Sequence, residues 1–368
     1  MGQEKEQHKD HLDFLLGGAV KENASDIHIV TDETCCFRIG PDLVRVESSL
    51  GSENAEEMIY SIVSDEQRQI LEESSELDFS YQTDAFDLEG LRFRVNVGRE
   101  RKGLYATFRI IPKDIRKIEE LGFPDDRVWQ DITGLNKGLV LVTGVTGSGK
   151  STTLASLIQH INHTRPEKII TIEDPIEYVH ASNKALIVQR EIGKDTQSFY
   201  SGVKWSLRQD PDILLIGEIR DRETARAALT AAETGHLVFS TLHTKDAVGT
   251  LSRYTDLFEG HEQGEIRGAL ADNFAYIISQ QLVPYERREN RALAVEILKN
   301  ISSVQALVRK GNFHQIPSYI ESNAREGMIT MDRHLENLYK EGRITVEDAV
   351  QYASNRDELE KRLGPETE

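Results

Sequence analysis

Residues 138–154, GLVLVTGVTGSGKSTTL, run from an apolar stretch into a glycine-rich loop and out again into an apolar-spaced segment of helical character. Gly144 to Ser151 fit the pattern GxxxxGK[ST], and the flanking runs supply the strand–loop–helix context in which that pattern carries chemistry. Gly144, Gly147 and Gly149 let backbone N–H groups converge on phosphate oxygens. Lys150 reaches the β and γ phosphates and the Ser151 hydroxyl can ligate Mg²⁺. The stretch Gly144, Val145, Thr146, Gly147, Ser148, Gly149, Lys150, Ser151, Thr152 is therefore the expected nucleotide cradle, with ATP and Mg²⁺ as the expected ligands.

Such a loop belongs on a parallel sheet. From residue 139 onward strand-like and helix-like stretches alternate, which predicts an α/β unit with helices on both faces. In these sheets ligands gather beyond the carboxyl ends of the strands, so the residues just after each strand matter most. KIITI is followed by Glu173, Asp174, Pro175, Ile176 and Glu177, three acids in five residues that favour a nearby cation. ILLIG ends in Glu218, an acid placed to hold Mg²⁺ through water or to polarise an attacking water. Phosphoryl transfer also needs cations, and Arg208, Arg220 and Arg222 flank this strand.

The segment TGHLVFSTLH carries a histidine at each end of its apolar run. If residues 237–242 form a strand, His236 and His243 stand roughly 23 Å apart on opposite faces, too far for one metal ion. His243 then emerges at the carboxyl end beside Gly144, Glu173 and Glu218, where it can contact nucleotide or a neighbouring subunit. His236 falls at the other end and reads as a packing or interface residue.

Residues 1–112 read as a smaller α+β domain, with a helix over 9–22, strands DIHIV and CCFRI, a helix near 53–72, and strands LDFSY, LRFRVNV and LYATFRII closed by Pro112. In LRFRVNV, Leu91, Phe93, Val95 and Val97 share one face and Arg92, Arg94 and Asn96 the other. Residues 113–138 are a charged connector with Gly/Pro breaks, 139–290 the P-loop core, and 291–368 a region of short amphipathic helices. The 44 basic and 62 acidic residues give a net charge of −18, which disfavours a nucleic-acid partner. Cys35 and Cys36 are adjacent and build neither a disulfide framework nor a zinc ribbon. A polar start and the lack of any long apolar run place the chain in the cytoplasm, without direct membrane insertion.

Taken together, GVTGSGKSTT, TIEDPIEY, RQDPDILLIGEIRDRET and AAETGHLVFSTLHT resemble the Walker A, Asp-box, Walker B and His-box motifs of the type II/type IV secretion ATPases. Within that superfamily the chain is most similar to the type IV pilus retraction (twitching motility) family, PilT and PilU, and ASDIHI, RFRVN, FRIIP and REGMITMD extend the likeness over about residues 9–360. The resemblance implies a homohexamer in which each subunit joins a PAS-like N-terminal domain to a RecA-like ATPase domain. Hydrolysis would pull pilin out of the fibre through an inner-membrane platform protein, with a paralogous pilus ATPase as a further partner. It also implies that Glu177 polarises water, that Glu218 serves Mg²⁺, and that Arg94 and Arg109 point at the nucleotide.

Departures from the family pattern are specific. Val145 stands where a proline is usual, and VKWSLR replaces LRSALR, so Lys204 takes the place of an arginine. Arg101-Lys102 displaces a glycine-flanked arginine, and AIRNLIRE survives only as the apolar stripe of Ser303 to Lys310. An assembly or type II secretion ATPase is the nearest alternative, but such motors commonly carry a tetracysteine zinc module that two adjacent cysteines cannot form. A nucleic-acid-dependent RecA-like motor would share Lys150 and Glu218, but would need basic, aromatic-bearing loops.

Overall fold

Phe93, Val95 and Val97 are fully buried while Arg92, Arg94 and Asn96 on the alternate positions are half-exposed, so one sheet face is core and the other faces outward. The computed structural model in which this is seen describes residues 2–40, 42–46, 55–86, 88–111, 113–285 and 291–364. Pro112, expected to close the last N-terminal strand, lies outside the described residues, as does the expected boundary at 290. Two units divide the chain, one formed by Met1–Asp114 with Pro175–Val179 and the other by Ile115–Asp174 with His180–Glu368.

In the first unit, α1 (Gly2–Lys21) precedes β1 (Asp26–Val30), β2 (Cys36–Ile39), β3 (Asp42–Arg45), α2 (Ala55–Ile62), α3 (Asp65–Ser74), β4 (Glu76–Thr83), β5 (Leu91–Glu100) and β6 (Gly103–Ile111). The strands form an antiparallel sheet in the order β3-β2-β1-β6-β5-β4. Leu12, Leu15, Leu16 and Ala19 of α1 and Met58 and Ile59 of α2 fill its buried face. The fully buried Asp13 of α1 accepts hydrogen bonds from Tyr81 Oη (2.7 Å) and Thr83 Oγ1 (2.8 Å), which pins the helix to β4. Bonds to a charged acceptor of this kind contribute about 1.5–3 kcal/mol each.

The single helix expected near 53–72 is two helices, and the reason is local. Ser64 accepts from the Gln67 amide while the Gln67 side chain accepts from the Ser64 amide, a capping box that starts α3 and ends any continuation of α2. The expected helix over 9–22 begins earlier, at Gly2.

The second unit contains α4 (Asp126–Gly134), β7 (Gly138–Thr143), α5 (Lys150–Thr164), β8 (Lys168–Glu173), β9 (Leu186–Glu191), α6 (Phe199–Ser206), β10 (Ile213–Ile216), α7 (Arg222–Glu233), β11 (Leu237–Leu242), α8 (Ala247–Asp256), α9 (Gln263–Asn273), β12 (Phe274–Pro284) and β13 (Arg291–Lys299). Then come α10 (Ser302–Lys310), α11 (Ile316–Ser322), α12 (Met331–Lys340), α13 (Val346–Tyr352) and α14 (Arg356–Leu363). The sheet order is β13-β12-β7-β11-β10-β8-β9, parallel from β12 to β9 with β13 antiparallel at the edge. All six residues of β7 are buried. Leu139 and Leu141 join a core with α7, α8 and α9, whereas Val140 and Val142 join one with α4 and α5. Burial on both faces is what a continuous apolar strand specifies, and each Val or Leu so placed contributes about 1.5–3 kcal/mol.

The fold class is therefore α/β with a RecA-like P-loop unit and a smaller α+β unit, as the sequence indicates. Two details differ. Most of the 113–138 segment is part of the second unit rather than a free connector, because Ile118, Val128, Trp129 and Ile132 are buried against α5 and β7. Beyond 290 the chain first makes β13, whose Ala292 to Leu298 are buried, before turning helical.

Candidate nucleotide-binding site

β7 delivers the chain to Gly144, which is buried at φ +146°. A Cβ at this position would lie 2.4 Å from both Gln280 O and Ser148 Oγ, so only glycine lets the loop pass over β12. Gly149 caps α5 at φ +87° without a side-chain hydrogen bond, which leaves the first helical amides of α5 unclaimed by a capping side chain. Lys150 is buried and donates from Nζ to Gly144 O (2.9 Å) and Val145 O (3.2 Å). Its ammonium is thus held over the loop, within reach of an anion bound there. Val145, Thr146 and Gly147 form the exposed rim, and Ser151 and Thr152 occupy the half-buried first turn of α5.

The floor of the loop is built by β12, a contribution the sequence motif does not announce. Fully buried Gln280 donates from Nε2 to Ser148 O at 2.8 Å, and the buried Ser148 Oγ has no partner among the described residues. The loop conformation is thereby fixed from below by a strand far away in sequence.

β11 lies between β7 and β10, with Leu242 opposite Thr143 and Ser240 opposite Ile216. This parallel register brings the chain ends after all three strands to one edge of the sheet. Gly217 sets the spacing of that edge, since a Cβ on it would approach Ile172 O and the Phe199 ring to 3.3 Å. Glu218, with a side chain only 12% exposed, then meets Arg220 Nη2 at 2.5 Å and His243 Nε2 at 3.4 Å. Lys150, Glu218 and His243 therefore emerge at the same carboxyl edge, with Arg220 added as a direct neighbour of the acid.

The other expected site residues fall elsewhere. Arg208 precedes β10 rather than following it, is exposed, and stacks against the Trp205 ring at 5.9 Å. The next residue, Gln209, accepts through its carbonyl from Lys168 Nζ at the amino end of β8. Within one chain Arg208 is thus at the opposite edge of the sheet from Glu218, away from Lys150 and His243. Glu177 lies in Pro175–Val179, the short segment that groups with the first unit. Arg94 and Arg109 are directly opposite one another on β5 and β6. Arg94 approaches Asp78 at 4.0 Å and Arg109 bonds Asp26 at 2.7 Å, which leaves the Arg109 side chain 63% exposed on the outward sheet face. His236 is a satisfied structural histidine: Nδ1 meets Ala231 O at 2.9 Å and Thr234 Oγ1 at 3.1 Å at the end of α7.

Magnesium is tested by the donor set. Among the described residues no group of three His, Cys, Asp or Glu side chains gathers to hold a metal ion. The Ser151 hydroxyl and the Glu218 carboxylate are hard oxygen donors suited to Mg²⁺, an ion that usually keeps waters and takes further ligands from substrate phosphates. The residues fit.

The family described as "Type II/IV secretion system protein" matches residues 3–361. The chain belongs to that family. Within it the likeness to the pilus retraction ATPases is strong. The type IV pilus retraction ATPase PilT of Pseudomonas aeruginosa is 41% identical over 341 residues, covering 92% of this chain and 97% of PilT. The type IV pilus ATPase PilU of the same organism is 35% identical over 358 residues, covering 96% and 92%. A crystal structure of the pilus retraction motor PilT with bound ADP superposes with a TM-score of 0.86 at 40% identity, covering 94% of this chain and 98% of that one. The secretion-family chain described here is accordingly a nucleotide-binding ATPase of the PilT kind.

Proposed function

We propose that the protein is a homohexameric motor that hydrolyses ATP to retract a type IV pilus by removing pilin subunits from the fibre. The observation that carries this reading is the meeting of Lys150, Glu218 and His243 at one sheet edge in a chain similar to PilT along nearly its whole length. Lys150 would exchange its loop carbonyls for the β and γ phosphates, with the amides at the start of α5 taking the remaining phosphate oxygens. Ser151 and Glu218 would hold Mg²⁺, which when bound neutralises charge on the transferred phosphoryl group. Glu177 would orient and deprotonate the attacking water. His243, half-exposed and already against Glu218, would report the state of that carboxylate to a neighbouring subunit.

Arg94 and Arg109 would supply positive charge from the N-terminal unit. Arg208, at the far edge of its own sheet, would act only in a neighbouring subunit. The motor would work in the cytoplasm, docked at the inner membrane through a platform protein and accompanied by a paralogous pilus ATPase. Among the described residues no helix is long and apolar enough to cross a membrane. Turnover by the purified full chain, lost at least a hundredfold on Lys150→Ala, tests the chemistry. Deletion of the gene tests the direction of force. Hyperpiliated, non-retracting cells are expected, and loss of pili would point to assembly instead.

A further inference from the structure

Behind the phosphate loop runs a line of hydroxyls, most of them buried, that ends at Thr244, the last residue of the His-box segment. Thr143, the residue before Gly144, donates from Oγ1 to Ser279 Oγ on β12 at 2.9 Å. Thr250, in the first turn of α8, places its Oγ1 3.4 Å from Thr143 Oγ1 and 2.7 Å from Thr244 Oγ1. Thr244 directly follows His243. Thr143, Thr250 and Ser279 are fully buried. The line of contacts therefore joins the residue at the base of the phosphate loop to the residue beside the histidine that touches Glu218.

A hydroxyl carries one proton, and the Thr250 hydroxyl has more acceptors than that. Asp246 O lies 2.7 Å away, the usual bond of a threonine back to its own helical turn. While Thr250 donates there and Thr143 donates to Ser279, no proton lies between Thr250 and Thr143, in keeping with their longer separation. Turning the Thr250 hydrogen toward Thr143 closes that gap and leaves Asp246 O to the Thr250 amide, so the same heavy atoms support two bonding arrangements. The start of α8 is gripped independently. Asp246 Oδ1 accepts from Gly249 N at 2.6 Å, and Glu296 Oε1 on β13 accepts from Ala247 N at 2.8 Å. The start of α8 thus has anchors that do not depend on the Thr250 hydroxyl.

We propose that Thr250 is a positioning residue for ATP hydrolysis, its hydroxyl coupling the base of the phosphate loop to the segment that carries His243. The inference rests on the ATPase reading above. In the purified full chain, Thr250→Val keeps the shape and removes the hydroxyl, so kcat should fall about three- to tenfold while ADP affinity stays within about twofold. Thr250→Ser should restore kcat. In a His243→Ala background the same Thr250→Val change should have less than about a twofold effect, because both act through one path. A purely structural threonine would instead lower thermal stability and lose activity to the same extent with or without His243.

Wild-type kcat in Thr250→Val, equal losses in both backgrounds, or failure of serine to rescue would each overturn the proposal. Should Thr250→Val fail to fold, Thr244→Val removes the next hydroxyl at a half-buried position and carries the same expectations, a wild-type kcat there being equally fatal. Absence of turnover in the wild-type chain would overturn the ATPase reading and this inference with it.

Discussion

The two ends of the strand pair β10 and β11 are built differently. At the carboxyl end, Glu218 is held by Arg220 and His243, whose side chains are 68% and 51% exposed. At the amino end polar groups are tied to backbone: His236 to Ala231 O, Lys168 to Gln209 O, and the Lys168 amide to Asp212 Oδ2 at 2.8 Å. The exposed partners of Glu218 can give it up to a substrate, whereas the backbone partners at the amino end hold His236 and Lys168 in place. One end is therefore arranged for exchange of partners and the other for permanence.

The largest test of this contrast is Glu218→Gln, which keeps the shape of the side chain and removes its charge. ATP turnover should fall by about two orders of magnitude or more, with little change in ADP affinity. Retained turnover would remove Glu218 from the chemistry and dissolve the distinction. Next comes the histidine pair. His243→Ala should lower kcat about tenfold at nearly unchanged thermal stability. His236→Ala should leave turnover within about twofold and cost about 1 kcal/mol of stability through the lost hydrogen bonds. Exchange of these two outcomes would invert the assignment of the strand ends.

A test of pH dependence sharpens the contrast from within the chemical end. Glu296 is buried beneath the start of α8, and burial pushes its carboxyl up from 4.5 to about 7, with the Asp246 and Asp332 carboxylates adding to the rise and the amide bonds from Ala247 and Met331 opposing it. The folded chain thus binds this proton more tightly than the unfolded chain. The stability it contributes is full below about pH 4.5, is lost as pH rises toward 7, and stays flat above. Glu296→Gln cannot ionise, so its thermal stability relative to wild type should improve between pH 5 and pH 8, by about 2 kcal/mol. Parallel stability curves for the two proteins would show that Glu296 does not titrate in this range.

The strongest sequence signals were those in which residue type and local backbone carry the same message. Gly144 and Gly149 are needed for positive φ, the apolar LVLV run becomes a strand buried on both faces, and the alternation in LRFRVNV becomes a two-faced strand. β13 was less legible because Glu296 interrupts an apolar run without signalling that Ala247 and Met331 will satisfy it. The 113–138 segment looked like a connector because its charges outnumber the few residues, such as Trp129 and Ile132, that anchor it in the core. Arg208 illustrates the same limit. Its nearness to Glu218 along the chain hides the strand between them, which places the two on opposite edges.

By itself the sequence determined the α/β class, the phosphate loop and the strand end at which His243 would emerge, because glycine conformation and side-chain periodicity act over a few residues. Only the tertiary structure decided that Gln280 supports the loop, that Arg220 and His243 share Glu218, and that Thr250 bridges two motifs. Each of these depends on which strands lie side by side and in what register. Strand order is settled by how the whole core packs, and no local stretch of residues specifies it.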